Sequence, residues 1–426
     1  MLYYILPSVF SVSSNIQCIF HKETETLQNP VISFTLAHYL YEIKNNIQKY
    51  ETEWEQYKKY TNPFEYINTT IPFQNKCISK YKPLSRSYFK MIEIIHIFFN
   101  ELMHGTDDFS TYINTFHLAE GPGGFIEAIV NSRQNKMDTC IGISLQPTNT
   151  TIPGWKKSFQ FLKNNPNVII ENGFDNTGNI LSLDNFLYCR SKYKNSMNFI
   201  TADGGFDFTT DFNSQENNVV RLLFAQIAFA LCLQKKGGSF VLKIFDIFFE
   251  STIDLLYILS SFYEKVYITK PLTSRFANSE KYVVCKNFLY ENDNSFFSYL
   301  YNTFEQMMFF PQLSIKRFLT LPIPIYFLNK LEEYNAIFGQ QQIENIYNTI
   351  CLIQNEQKNK NNKNIKWNRI SIETECHGVG GNDLRILDIQ RCNEKTVVIQ
   401  KIDSLIKNNI QKCIMWCVKH NIQYNS

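Results

Sequence analysis

Apolar and polar positions fall into three patterns along the chain. Residues 35–60 carry Leu40, Ile43, Ile47, Tyr50, Trp54 and Tyr57 at alternating spacings of three and four on an otherwise charged segment. That spacing predicts one amphipathic helix with a narrow apolar seam. The seam suits packing against the rest of the chain or an intermolecular coiled coil, and fewer than four heptads are present, which favours the first. From 84 to 288 strand-like and helix-like runs alternate. Residues 112–119, 139–144, 167–171, 197–202, 238–245, 265–270 and 281–286 have strand patterns; a helix opens at 124–131, and others cover 217–233 and 252–263. Such alternation predicts an α/β fold, a mostly parallel twisted sheet covered on both faces.

Beyond 290 the pattern changes again. Residues 326–354 have a helical pattern, and a mixed segment ends in a helix near 402–420. Between them 354–366 (QNEQKNKNNKNIK) is a polar Asn/Lys tract, expected as an exposed loop. The expected organisation is therefore an N-terminal helical extension (1–83), an α/β domain (84–289) and a C-terminal mixed, mostly helical region (290–426). No internal repeat is evident.

Composition narrows the classes. With 426 residues, 44% hydrophobic and 19% charged, wholesale disorder is excluded. A net charge of +3 excludes a histone-like polycation, so any nucleic-acid binding needs a local basic patch. Lys156-Lys157, Lys235-Lys236, Lys316-Arg317 and the lysines of 358–366 could contact phosphates or could be ordinary solvated side chains. Eleven cysteines, an odd number without a CxxC pair, suit a reducing compartment better than a disulfide framework. The sequons at Asn68 and Asn149 are then expected to be unused. No apolar run approaches the ~20 residues of a membrane span. The apolar start, 1–12, has no basic residue ahead of it and contains Pro7, so no secretory leader is expected.

Two features carry chemistry. The first is Glu120-Gly121-Pro122-Gly123-Gly124-Phe125, a glycine turn between an apolar strand and a helix start. Ligands bind at such turns in doubly wound sheets, although a plain strand–turn–helix connection has the same pattern. It is neither GxGxxG nor a phosphate loop. Glu120 opposes a phosphate and suits a cofactor with a cationic amino group. The second is a dispersed set of ionisable residues. Asp203 ends an apolar strand before Gly204-Gly205. Lys243 lies inside SFVLKIF, facing water at a sheet edge or placed in a cleft. Glu280 opens the last strand, and Lys90 lies in a helical pattern that alone suggests a solvated face. A partly buried lysine beside another cation loses its charge readily and can act as a general base, with carboxylates orienting the proton path.

Six stretches, in order, carry a resemblance: SRSYFKMIEI (85–94), AEGPGGF (119–125), GFDNTGNI (173–180), TADGGFDF (201–208), GGSFVLKIFDIF (237–248) and KPLTSRFANSEKYVVCKNF (270–288). They span just under half the chain. This region resembles the FtsJ-like RNA 2′-O-methyltransferases, particularly the Adrift-type cap-specific mRNA enzymes of eukaryotes and large cytoplasmic DNA viruses. The resemblance implies a Rossmann-like methyltransferase sheet of about seven strands, the last antiparallel, and S-adenosyl-L-methionine as methyl donor. It implies a catalytic tetrad of Lys90, Asp203, Lys243 and Glu280, with Lys243 as proton acceptor and Lys90 placing the hydroxyl and depressing the base's pKa. Glu120, Gly121, Pro122, Gly123, Gly124 and Phe125 would bind the methionine end of the cofactor, Asp203 would lie near its methyl centre, and Asp175 would serve the nucleoside end. The sequence departs from the pattern at Glu120, where many relatives have a small residue, and at 140–144, which does not end in an acid.

The implied substrate is RNA, specifically the first or second nucleotide of capped mRNA, with capping or transcription proteins as possible partners and no membrane. The implied setting is the cytoplasm, that of the host if the protein is viral, with packaging in the virion. The alternatives are an enzyme of uncapped ribosomal or transfer RNA, and a non-catalytic RNA-binding or virion component that retains the fold. No metal is required, since a sulfonium is already an activated leaving group. Cys413, Cys417 and His420 fall on one helical face and, with Cys376, His377 or Cys392, could bind zinc; helical amphipathy explains them as well.

Overall fold

The computed structural model describes residues 2–22, 29–100, 112–146, 154–205, 215–373 and 383–425; side chains of 359–373 and 383–399 are outside the description. The chain divides into two compact units, each assembled from separated segments. This differs from three consecutive regions, because each unit is completed by segments far apart in the sequence.

The first unit comprises Met1–His38, Pro83–Ser274 and Ser279–Gly339. Its sheet has eight strands: β1 (Tyr3–Ile5), β3 (Asn114–Leu118), β4 (Thr139–Ile143), β5 (Val168–Glu171), β6 (Met197–Ala202), β7 (Gln234–Ile244), β8 (Tyr263–Thr269) and β9 (Lys281–Phe288). They lie in the order β1-β8-β9-β7-β6-β3-β4-β5. Strands β3 to β7 are mutually parallel. Strand β9 runs antiparallel between β7 and β8, so the last strand is the reversed one, as expected. The parallel strands are near-continuous apolar runs, as burial on both faces demands; Phe116, Leu118, Phe199, Ile200, Phe240 and Val241 are all fully buried.

Helices α3 (Ser87–Phe98), α4 (Gly124–Arg133), α5 (Phe159–Asn164), α6 (Leu183–Tyr193), α7 (Gln215–Leu233), α8 (Glu250–Phe262) and α9 (Phe297–Phe309) belong to the same unit. Helix α7 is apolar and long enough to cross a membrane by length and composition, but 83% of that window is buried inside the protein. It is a core helix, apolar all round because it is covered all round. Its polar exceptions are engaged: Glu216 accepts the Phe248 and Phe249 amides that open α8, and Gln226 holds the Gly204 amide.

The N-terminal segment corrects the expectation of a helical extension. Strand β1 closes the sheet edge against β8 with Tyr3 opposite Thr269. Strand β2 (Ile16–Phe20) pairs antiparallel with β10 (Ile315–Leu319) in a separate two-stranded sheet. Runs of three and five residues are too short to show a period, and their partners are some 300 positions away or nearly so. The β10 strand is also held by Asp254 of α8, whose fully buried carboxylate accepts Arg317 Nη2 at 2.7 Å and the amides of Phe318 and Leu319 at 2.8 and 3.1 Å.

The second unit comprises Tyr39–Lys82, Arg275–Asn278 and Gln340–Ser426. Its helices are α1 (Phe34–Ile47) from Tyr39 on, α2 (Glu51–Thr61), α10 (Ile325–Glu373) from Gln340 on, and α11 (Asp383–Lys419). The single helix expected over 35–60 is broken by a 3₁₀ turn at Gln48–Tyr50, where Tyr50 leaves helical geometry at φ −127°. The seam nevertheless packs within the chain: Ile47, Trp54 and Tyr57 form one cluster with Ile346, Ile350 and Ile353. The loop expected at 354–366 is also corrected, because α10 runs through it to Glu373. The tract contains neither Gly nor Pro, and Lys, Gln and Glu are good helix formers, so polarity alone does not end the helix. The C-terminal helix likewise begins earlier than expected, at Asp383. Cys413 and Cys417 are buried neutral thiols, each pushed by burial up to about 12, and His420 stacks on Trp416 at 4.4 Å. Cys376 and His377, and the side chain of Cys392, lie outside the described residues. Among the described residues no group of three or more His, Cys, Asp or Glu could hold a metal.

Candidate active site

The strand order reverses direction of travel between β6 and β3, and a crevice at such a point lies beyond the carboxyl ends of the strands. Strand β3 ends in the Glu120–Gly124 turn and β6 ends at Ala202, so Asp203 and Glu120 arrive together at this crevice. A cavity of about 230 Å³ opens there, lined by Ser85, Arg86, Lys90, Glu120, Gly121 and Asp203 among others, with Pro122 at its wall.

The turn is built by close approach. Gly123 has φ +103°, a conformation L side chains rarely adopt. A Cβ on Gly124 would stand 2.2 Å from Ser85 Oγ and 2.3 Å from Ser87 Oγ, so only glycine lets α4 start against α3. Glu120 Oε1 accepts the Phe125 amide at 2.9 Å and thereby satisfies the α4 N-terminus that a phosphate would otherwise use. Glu120 Oε2 is buried with no hydrogen-bond partner. Burial, and then the Asp203 carboxylate, push the Glu120 carboxyl well above its usual range. A buried, unsatisfied acceptor lining a cavity is costly unless a donor fills it. Phe125 is fully buried, its ring 5.8 Å from that of Tyr282.

The four dispersed ionisable residues form one network. Lys90, buried on α3, lies 2.7 and 2.8 Å from the two Glu280 oxygens. Lys243 Nζ donates to the Asp203 carbonyl at 2.6 Å and lies 3.3 Å from Asp203 Oδ1. Burial alone would raise the Glu280 carboxyl, but Lys90 and Lys243 overcome it and hold it down at about 2. Gly205 leaves room beside Lys243, since a Cβ there would stand 3.2 Å from its Nζ. Lys243 is thus placed in the interior of the sheet, opposite Tyr282 of β9, and is not an edge residue facing water.

Several contributors escaped the sequence. Tyr282 donates to Asp203 Oδ1 at 2.9 Å and fixes that carboxylate. It lies two positions after Glu280, which immediately precedes β9, so a period-two reading continued from Glu280 contains its signal. Ser274 Oγ donates to Glu280 Oε1, and Lys270 Nζ donates to the Glu280 carbonyl, each at 2.8 Å. Lys270 is buried; desolvation, then Lys281 and Lys90, lower its ammonium to about 7. Asp175 is not brought to the cavity wall. It lies in the loop after β5, where Oδ1 accepts the Thr177 amide and hydroxyl and Asn185 Nδ2. Residues 206–208 of the TADGGFDF stretch lie outside the described residues.

Residues 83–288 match the FtsJ-like methyltransferase family. The chain is 32% identical over 188 residues to cap-specific mRNA (nucleoside-2′-O-)-methyltransferase 2 of Drosophila melanogaster, covering 41% of this chain and 27% of that protein. It is 28% identical over 363 residues to the Mus musculus protein of the same name, covering 79% of this chain and 46% of that one. The chain therefore spans less than half the length of these relatives. A solved structure of human methyltransferase-like protein 13 in complex with SAH aligns with a TM-score of 0.33 and 9% identity, over 53% of this chain and 92% of that one. The eight-stranded, mostly parallel sheet with its reversed last strand and the family match agree: residues 83–288 have the FtsJ-like, Rossmann-type methyltransferase fold.

Proposed function

We propose that this chain transfers a methyl group from S-adenosylmethionine to the 2′-hydroxyl of a ribose in RNA, at the first or second nucleotide of capped mRNA. The observation that carries this reading is the convergence of Lys90, Asp203, Lys243 and Glu280 beside a cavity into which Glu120 presents an unpartnered carboxylate oxygen. The names of the relatives support the capped substrate. The nine described cysteines are free thiols, which accords with action in the cytoplasm.

The residues fit the cofactor. Glu120 Oε2 would hold its cationic amino group and Gly121 to Gly124 leave room for its methionine end; Asp175, engaged with Thr177 and Asn185 away from the cavity wall, is given no part in holding it. When bound, the cofactor supplies an electrophilic methyl on sulfonium. The chain's own task is proton removal. Lys243 Nζ is assigned as the acceptor of the 2′-hydroxyl proton. The resulting ammonium is held by the Asp203 carbonyl and carboxylate, which Tyr282 fixes in place. Lys90, anchored by Glu280, positions the hydroxyl.

Incubation with labelled cofactor and matched capped and uncapped transcripts tests the reading. Label is expected in the 2′-O-methylated nucleotide next to the cap. Equal labelling of uncapped RNA would move the substrate to ribosomal or transfer RNA, and labelling of neither would leave a binding protein. Glu120→Gln is expected to weaken cofactor binding about tenfold or more, the loss of a charged hydrogen bond in a buried site. The sign with pH follows from the raised Glu120 carboxyl. Only its ionised form pairs with a cation, so wild-type affinity falls as pH is lowered through its titration, whereas the Gln variant has no such slope. Calorimetry across the acid range reads both effects.

A further inference from the structure

A second cavity, of about 400 Å³, lies wholly within the second unit. Lys76, Lys80 and Lys82 line it, together with the amide side chains of Asn68, Asn75 and Asn425, and no carboxylate is among its lining residues. All three lysines are exposed. The floor is fixed from both sides. Ile78 and Ser79 donate their amides to Tyr66 and Ile67, while Lys80 donates to Gln423 and Asn425 donates to Ile78. Ser79 and Tyr424 form an antiparallel bridge. The lysines therefore stand on a pinned backbone, over the fully buried Tyr66 and Ile67.

Aromatic rings border the same segment. Phe73 is 101% exposed, at the tip of a loop closed by the Ile71 amide on the Lys76 carbonyl at 3.0 Å. Its φ is +63°, a region a bulky side chain rarely adopts. The fold thus holds a large apolar ring fully in water beside the cavity-lining residues Thr70 and Asn75, free to offer its face to a planar group. Tyr81, between Lys80 and Lys82, and Tyr424, bridged to Ser79, are also partly exposed.

We propose that this basic, aromatic-bordered cavity binds single-stranded RNA, with the lysines on phosphates and Phe73 stacking on a base. Ammonium groups spaced along a groove track a polyanionic backbone, and ring faces accept any base, which together define sequence-tolerant single-strand binding. The amides add donors and acceptors for base edges or ribose hydroxyls. The concave shape and the amide lining disfavour a flat anionic membrane, which would meet the lysines but leave Asn68, Asn75 and Asn425 unused. The proposal extends the RNA reading above in that the strand offered is of the substrate's chemical class.

Fluorescence anisotropy of the full chain with a labelled, uncapped single-stranded RNA of mixed sequence tests it, and requires no methyl transfer. Lys80→Ala combined with Lys82→Ala is expected to weaken binding at least fivefold near 0.1 M salt and to reduce the log–log salt slope by about 1.4, since each single-strand phosphate contact contributes about 0.7. Phe73→Ser is expected to weaken binding about fivefold or more with the salt slope unchanged. Unchanged melting temperatures show that the variants fold. RNA affinity and slope equal to wild type in both variants would overturn the proposal while leaving the methyltransferase reading intact. Equal or tighter binding to vesicles of anionic phospholipid, lost in the same variants, would overturn it in favour of a membrane. Loss of RNA binding in the variants of a chain that methylates no RNA would uphold this site and reject the enzyme.

Discussion

Replacing Lys243 with methionine is expected to lower kcat for 2′-O-methylation by about 10²- to 10⁴-fold, the usual contribution of a positioned general base. Methionine keeps the length and most of the apolar stem, so β7 should retain its register against β6 and β9. Cofactor affinity should stay near wild type, because no cofactor contact is assigned to this amine. Lys243→Arg should fail as well, since a guanidinium keeps its proton at any workable pH. Single-turnover rates with capped RNA, read beside calorimetric cofactor binding, check the split. A methionine variant retaining a tenth of the rate would remove Lys243 from the chemistry. A variant that also loses the cofactor would mean that the site had collapsed.

Asp254→Ala should be the most damaging single change to stability outside the cavity. The carboxylate is fully buried and receives the Arg317 fork and the amides of Phe318 and Leu319. Removing it takes the carboxylate from a guanidinium that is only 17% exposed, which still donates to the Leu321 carbonyl, and strands two buried amides. Breaking a buried pair in this one-sided way costs about 3–5 kcal/mol. A shift of the urea midpoint at unchanged slope measures it. Asp254→Asn should cost less, because the amide oxygen still accepts one of the backbone amides. If Asp254→Ala costs less than about 1 kcal/mol, β10 is held by its apolar face and pairing with β2 alone.

Part of the candidate site is legible in the sequence because its signals are local. Met197–Ala202 is an apolar run cut off by Asp203-Gly204-Gly205, and Lys243 stands out by its apolar neighbours on both sides. Lys90 was different. Its helix pattern alone suggests a solvated face, yet nearly all of α3 is buried, because cover comes from segments far along the chain, including Glu93 receiving the Leu272 and Thr273 amides. Strands β1, β2 and β10 were silent for a related reason: short strands owe their existence to distant partners. The long α10 helix is the converse case: 354–366 is polar, yet it holds no Gly or Pro to interrupt backbone hydrogen bonding, so the helix continues. Glu120 was legible as an acid beside a glycine turn. That one of its oxygens caps α4 while the other is left open is a matter of rotamer and packing, which no residue pattern records.

Pairing Tyr3 with Thr269 and Phe20 with Ile315 has a consequence for synthesis. At roughly 5–20 residues per second, β1 must wait tens of seconds on the ribosome before its neighbour emerges. The β1 segment therefore stays unpaired while the strands between are laid down. During that interval β1 has no partner strand, so chaperone capture or wayward self-association of newborn chains competes with the final stitch.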